Sequence, residues 1–187
     1  HQNIAKQFHC NLYLARLAEH GIDTTDDLQN LTAENYWESA KLAYAIGKKL
    51  GKKVILMSTS TGGTLSLQLA AAYPEIAGQI LYSPNIEINN PAAFLLNNPW
   101  GLQIVRAIKK GKFANIPYTN NDYPKYWNTH YRLESTVALQ NLLEATMVDS
   151  IFSKVTQPTL ALYYYKDETH QDDVVKVSAI QKMFGKI

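Results

Sequence analysis

Residues Ser58-Thr-Ser60-Thr-Gly62-Gly63 are small, hydroxyl-rich and glycine-rich. They stand between an apolar run, Val54 to Met57, and an apolar helical stretch that starts at Leu65. A strand that turns this abruptly into a helix tolerates only small neighbours. It lifts the central side chain above the sheet, at the positive end of the helix. Read as small-x-Ser-x-Gly, the five residues from Ser58 to Gly62 put Ser60 at the tip, and the chemistry on offer is nucleophilic attack by a serine hydroxyl. The competing reading is a plain N-cap at Ser60 or Thr61. One hydroxyl suffices for a cap, whereas the Gly62-Gly63 pair weakens the helix and implies a close approach of backbone or substrate. A third use, an anion nest over Thr59 to Gly63, lacks the lysine of a G-x-x-x-x-G-K-[ST] loop, and no G-x-G-x-x-G is present.

The elements around this turn alternate between strand and helix. Cys10 to Leu17 reads as a strand running into the loop Ala18 to Gly21, and Asp23 to Leu31 as a polar loop. Thr32 is a candidate N-cap for a helix to Leu50, with Tyr36, Ala40, Ala43, Gly47 and Leu50 on one face and Gly51 as its stop. Val54 to Met57 is apolar throughout, as in a strand buried on both sides of a parallel sheet. Leu65 to Tyr73 predicts a helix stopped by Pro74, and Gln79 to Ser83 a further strand. This spacing predicts βαβ units and a parallel sheet.

From Asn85 to Gln157 the character changes to Asn, Pro and helical patterns, notably Trp100 to Lys110 and Glu134 to Met147. Pro158 to Tyr165 resumes the sheet, and Val174 to Phe184 fits a helix. The expected organisation is therefore a core over residues 1–84, a helical cap insertion over 85–157 and the rest of the core over 158–187.

With 187 residues, 46% hydrophobic and 18% charged, the chain suits one α/β domain with room for an insertion. A net charge of +2, spread over lysine pairs that read as helix ends, gives no basic stripe and argues against a nucleic-acid partner. Cys10 is the single cysteine, which excludes an internal disulfide and leaves the compartment open. No stretch nears the ~18 apolar residues of a membrane span.

Three segments resemble the α/β-hydrolase superfamily, in particular its cap-bearing carboxylesterases and monoacylglycerol-lipase-like serine hydrolases. Ile55-Leu-Met-Ser-Thr-Ser60-Thr-Gly-Gly63 resembles the nucleophile elbow, with Ser58 standing where the family usually has glycine. Tyr13-Leu-Ala-Arg-Leu-Ala-Glu-His20-Gly21 is similar to the strand and "GHG" loop that precede the elbow. Pro158-Thr-Leu-Ala-Leu-Tyr-Tyr-Tyr-Lys-Asp167 is similar to the strand that ends in the acid of the triad. The resemblance implies an α/β-hydrolase parallel sheet core, here partial, with a helical cap insertion. It implies Ser60 as nucleophile and the Thr61 N–H as one oxyanion donor.

It also implies Asp167 as the acid that orients a histidine. Asp172 and Asp173 are rivals, but Asp167 follows the strand end on a short tether, while the later pair precedes an apolar helix and suits capping. The family's histidine follows one more strand, after the helix that ends near Ile187. Of the five present, His20 occupies the "GHG" loop as a structural residue, His130 lies in the cap, and His170 is three residues past Asp167; His1 and His9 complete the set. The family's early oxyanion loop would precede residue 1, and the strand between Cys10–Leu17 and the elbow strand is missing. The expectation is a chain that records part of a longer protein of roughly 250 residues.

Tyr126, Trp127 and Tyr131, with Phe94 and Leu95, are candidates to wall an apolar substrate pocket. The resulting expectation is hydrolysis of a small apolar carboxylic ester through an acyl-enzyme, with no cofactor or metal implied and the oligomeric state open. Two alternatives stand beside it, a non-catalytic binding protein of the same fold and a phosphate- or nucleotide-binding module.

Overall fold

Thr32 accepts a hydrogen bond from the Asn35 N–H at 3.0 Å, while the Asn35 side chain accepts from the Thr32 N–H at 2.9 Å. This reciprocal cap starts the long helix where the sequence places it. The computed structural model describes residues 1–21 and 26–187. The expected loop over 23–31 therefore falls partly outside the described residues; from Asp26 to Asn30 it is a series of turns.

A short helix α1 (Gln2–Gln7) opens the chain, and α2 (Ala33–Leu50) follows after the loops. Strand β1 (Ile55–Thr59) leads into α3 (Thr61–Ala72) and then β2 (Gly78–Tyr82). The chain leaves the sheet there and returns as β5 (Thr159–Leu162). The three strands are parallel in the order β1-β2-β5, with Thr59 beside Tyr82 and Tyr82 beside Leu162. Their carboxyl ends are level, which is where open α/β sheets place ligands.

Helix α3 carries apolar residues all round and is buried accordingly. Leu65 and Leu69 pack into a cluster with Tyr36, Ala40 and Tyr44 of α2. Leu67 and Ala70 join a second cluster with Leu81, Val175, Ile180 and Met183. Clamped between two cores, α3 holds the turn at its N-terminus rigidly. The α2 face differs slightly from the expected one, being Tyr36, Ala40 and Tyr44, with Leu50 on the surface.

Two expectations about strands are corrected. Residues 10–17 form no strand: Leu12, Tyr13 and Leu14 are exposed, and among the described residues no strand takes up their backbone groups. Strand β1 is not buried on both sides. Among the described residues only β2 pairs with it, so it is an edge strand, and Ile55 is 60% exposed.

Between β2 and β5 lie a 3₁₀ turn (Ala93–Asn97), α4 (Gly101–Lys109), α5 (Glu134–Thr146) and α6 (Asp149–Phe152). The region is not helical only, since β3 (Phe113–Asn115) and β4 (His130–Arg132) form an antiparallel pair. The strand expected to run to Tyr165 ends at Leu162, and Tyr163 and Tyr164 separate it from β6 (Tyr165–Asp167), which pairs with β7 (His170–Gln171). Helix α7 (Val177–Phe184) starts three residues later than the apolar pattern suggested.

One ion-pair group ties the region between β2 and β5 to the loop before α2. Arg132, with its side chain 13% exposed, reaches Glu134 Oε1 at 2.6 Å and Asp26 Oδ1 at 3.1 Å, and Arg106 also reaches Glu134 Oε1 at 2.6 Å. The hydrogen bond from Arg132 holds the Glu134 carboxyl below its usual range. A folded-state value below the unfolded one means stability that is present above the unfolded value of about 4.3 and lost as pH falls through the folded one. Glu134→Gln should therefore cost about 1 kcal/mol at neutral pH, solvent screening included. In a series of urea unfolding curves, the gap to wild type should close below about pH 4.

Candidate active site

One residue, Ser60, separates β1 from α3, and the reversal of direction falls on it. Its φ of 53° and ψ of −121° lie in a region that L-residues rarely occupy, at a cost of about 1–3 kcal/mol. The surrounding backbone enforces it. The Ser60 N–H donates to Tyr82 O at 3.0 Å, and the Ser60 carbonyl accepts from Gly63 at 2.8 Å and Asn85 at 3.0 Å. The segment after β2 thus crosses directly over the first turn of α3. Thr64 Oγ1 adds a 2.5 Å hydrogen bond to Asn85 O.

The small residues of the turn now have reasons. A Cβ on Gly63 would sit 2.6 Å from Pro84 Cβ and 2.8 Å from Pro84 Cα, and one on Gly62 would meet Ser58 Cβ at 3.2 Å. Ser58 itself is accommodated, because its hydroxyl accepts from Ser66 Oγ at 2.9 Å. Gly63→Ala has to push the Pro84 backbone away from the turn. It should lower the urea midpoint by an amount equivalent to about 1–3 kcal/mol, more than Gly62→Ala does.

The Ser60 side chain does not cap α3, so the capping alternative finds no support. It is half-buried and lines a cavity of about 650 Å³. Thr61 is the first residue of α3, and an N–H at that position has no carbonyl partner within its helix. Tyr123 and Trp127 line the cavity, their rings stacked at 6.0 Å, and so do His170, Asp172 and Asp173.

The three candidate carboxylates differ in what their oxygens do. Asp167 does not line this cavity. Its Oδ1 accepts from the Thr169 N–H at 2.9 Å, Thr169 Oγ1 at 2.8 Å and the His170 N–H at 2.8 Å. His170 Nδ1 lies 2.8 Å and 3.0 Å from its two oxygens. Hydrogen bonds from Thr169 first, then His170, hold this carboxyl below its usual range.

Asp172 does line the cavity. Its Oδ1 accepts from the N–H groups of Val174 and Val175, both at 3.0 Å. Its backbone is fixed by Tyr164 O at 3.1 Å and by the Asn89 side chain at 3.3 Å. That leaves Oδ2 for another group. Neither Asp172 nor Asp173 caps α7, whose N-cap is Lys176.

Of the aromatic candidates, Trp127 reaches the cavity. Tyr126 is 81% exposed, and Tyr131 packs against the core cluster of α2, where burial pushes its phenol up. Tyr123 was not singled out in the sequence, although its spacing of four from Trp127 was visible. Phe94 lines a separate cavity of about 590 Å³ between α5 and α7. His20 is held by Ala18 O at 2.8 Å and stacks obliquely on Tyr36, in keeping with a structural role. His130 stacks on Phe113 at 4.3 Å and contacts Asn115 at 2.7 Å, outside the Ser60 cavity. Among the described residues no cluster of three or more His, Cys, Asp or Glu side chains is arranged to hold a metal ion. No described helix is long and apolar enough to cross a membrane.

A family model described as "Serine aminopeptidase, S33" matches residues 23–184. Among solved structures, the chain is similar to one from work on LipS and LipT, two metagenome-derived lipolytic enzymes, with a TM-score of 0.68 and 16% identity over 92% of this chain and 65% of that one. It is similar to the Paleococcus ferrophilus monoacylglycerol lipase, with a TM-score of 0.59 and 16% identity over 84% and 62%. A third likeness, to E-2-(acetamidomethylene)succinate hydrolase, has a TM-score of 0.50 and 18% identity over 90% and 66%. The chain thus spans less than two thirds of the length of the first two. No curated protein matches its sequence.

Proposed function

The chain belongs to the serine aminopeptidase S33 family and has the α/β-hydrolase fold, and from that premise we propose that it hydrolyses carboxylic esters with Ser60 as nucleophile. The observation that carries this reading is the strained, uncapped Ser60 at the head of α3, half-exposed in a cavity that also holds a carboxylate fixed by backbone N–H groups. The lipolytic names of two structural neighbours support an ester as the bond broken.

In this reading the Ser60 hydroxyl attacks the ester carbonyl, and the Thr61 N–H at the positive helix end stabilises the developing oxyanion. Such a donor is worth roughly 3–4 kcal/mol in the transition state. An imidazole between Ser60 and the acid takes the hydroxyl proton and returns it to the departing alcohol; water then releases the acyl group. The geometry favours Asp172 over Asp167 as the acid, since Asp172 is in the cavity with one oxygen free. Residues 85–157 act as the cap over the core formed by 1–84 and 158–187, and Tyr123 and Trp127 are its contribution to the substrate wall.

A fluorophosphonate probe tests the reading on the intact protein. The expected result is a covalent adduct on the peptide that contains Ser60. Folded protein that takes up no probe would favour a binding role for the fold instead.

A further inference from the structure

The turn between β6 and β7 is tied by a single carboxylate. Asp167 accepts from two backbone N–H groups and the Thr169 hydroxyl, and its remaining contact is His170 Nδ1. An ionised carboxylate can only accept, so Nδ1 carries a proton and donates it to Asp167. In the neutral ring, Nε2 is then the acceptor, fixed in tautomer and orientation by its neighbour. The His170 side chain is 61% exposed, and the residue lines the same cavity as Ser60. Nδ1 is engaged, so Nε2 is the atom this ring has left for a ligand.

The cavity is otherwise lined by polar and aromatic residues, Gln171 and Tyr164 among them. Asp172, whose Oδ2 the proposed mechanism gives to the imidazole, and Asp173 line it too, and no Lys or Arg is among the described residues that line the cavity. Carboxylates with no cation beside them favour hydrogen-bond donors in a ligand. Tyr123 and Trp127 add stacked aromatic rings to the lining. A cavity with both kinds of lining fits an amphiphilic substrate, one that carries apolar groups as well as hydrogen-bond donors.

We propose that His170 is a specificity-determining residue of the Ser60 cavity, accepting a hydrogen bond at Nε2 from a hydroxyl or N–H on the alcohol side of the scissile ester. Asp167 is its positioning residue. The inference rests on the ester-hydrolase reading of Ser60 and adds to it the class of leaving group.

Two esters with the same acyl chain separate the possibilities: glyceryl monobutyrate, which carries spare hydroxyls, and n-propyl butyrate, which carries none. A neutral hydrogen bond corresponds to about a 3–10-fold preference in kcat/KM for the glyceryl ester. His170→Leu should reduce that ratio by the same factor, mainly through KM for the glyceryl ester. His170→Gln places an amide oxygen near the former Nε2 and should recover part of the preference, which a merely structural role for the ring would not. If the preference survives His170→Leu, or both esters lose rate in proportion, the specificity role is overturned. Loss of fluorophosphonate labelling in His170→Leu would move the imidazole into proton transfer and also overturn it. A wild-type protein that takes up the probe but shows no preference between the esters overturns this inference alone; one that neither takes up the probe nor cleaves either ester overturns the Ser60 reading with it.

Discussion

Ser60→Ala is expected to reduce ester hydrolysis on the order of 10⁶-fold and to abolish fluorophosphonate labelling. The protein should remain folded. The hydroxyl does not cap α3, and the three hydrogen bonds that shape the turn are made by the Ser60 backbone, which alanine keeps. The loss is therefore chemical. A second variant separates the hydroxyl from the strain it sits on. With φ at 53° and ψ at −121°, glycine suits the position better than serine or alanine. Ser60→Gly should be as inactive as Ser60→Ala but more stable, by about 1 kcal/mol once the larger unfolded-state entropy of glycine is counted. Urea unfolding beside the hydrolysis assay reads both. Hydrolysis by Ser60→Ala within about tenfold of wild type would remove Ser60 from the chemistry.

Why Ser60 stands out in the sequence while other parts of the site do not follows from the range of the interactions involved. The turn is local: Ser58, Gly62 and Gly63 are small because the contacts that require it lie within the turn or on Pro84, just past the end of the next strand. The α2 boundary is local too, and Thr32 with Asn35 reads directly as a cap. Strand identity is a property of pairs. Cys10 to Leu17 has strand-like residues but no neighbouring strand among the described residues, and Phe113–Asn115 pairs with His130–Arg132 although neither tripeptide is strand-like alone. Which aromatic of Tyr123, Tyr126, Trp127 and Tyr131 faces the cavity depends on the 3₁₀ turn Tyr123–Lys125 and on β4, both set by packing. Between the carboxylates, one signal could have been used. Asp167 is followed two residues later by Thr169, a spacing at which aspartate commonly bonds its own turn. That local demand is what occupies its oxygens here.

The second large effect separates those carboxylates. Asp172→Asn should lower kcat by about 10⁴-fold, because an amide at the acid position no longer holds an imidazole in the right tautomer or stabilises its charge. The variant should fold normally, since the asparagine side-chain oxygen still accepts from Val174 and Val175 where Oδ1 does. Asp167→Asn should lower kcat by less than about tenfold. That carboxylate lies outside the cavity and serves Thr169 and His170, so its loss is expected to act on substrate preference through His170. Equal assays of the two variants on one ester, each beside a urea unfolding curve, decide the assignment. If Asp167→Asn is the inactive protein and Asp172→Asn is close to wild type, the acid is the last residue of β6. The hairpin would then have to rearrange on substrate binding to bring Asp167 into the cavity, and its turn hydrogen bonds would have to break in the process.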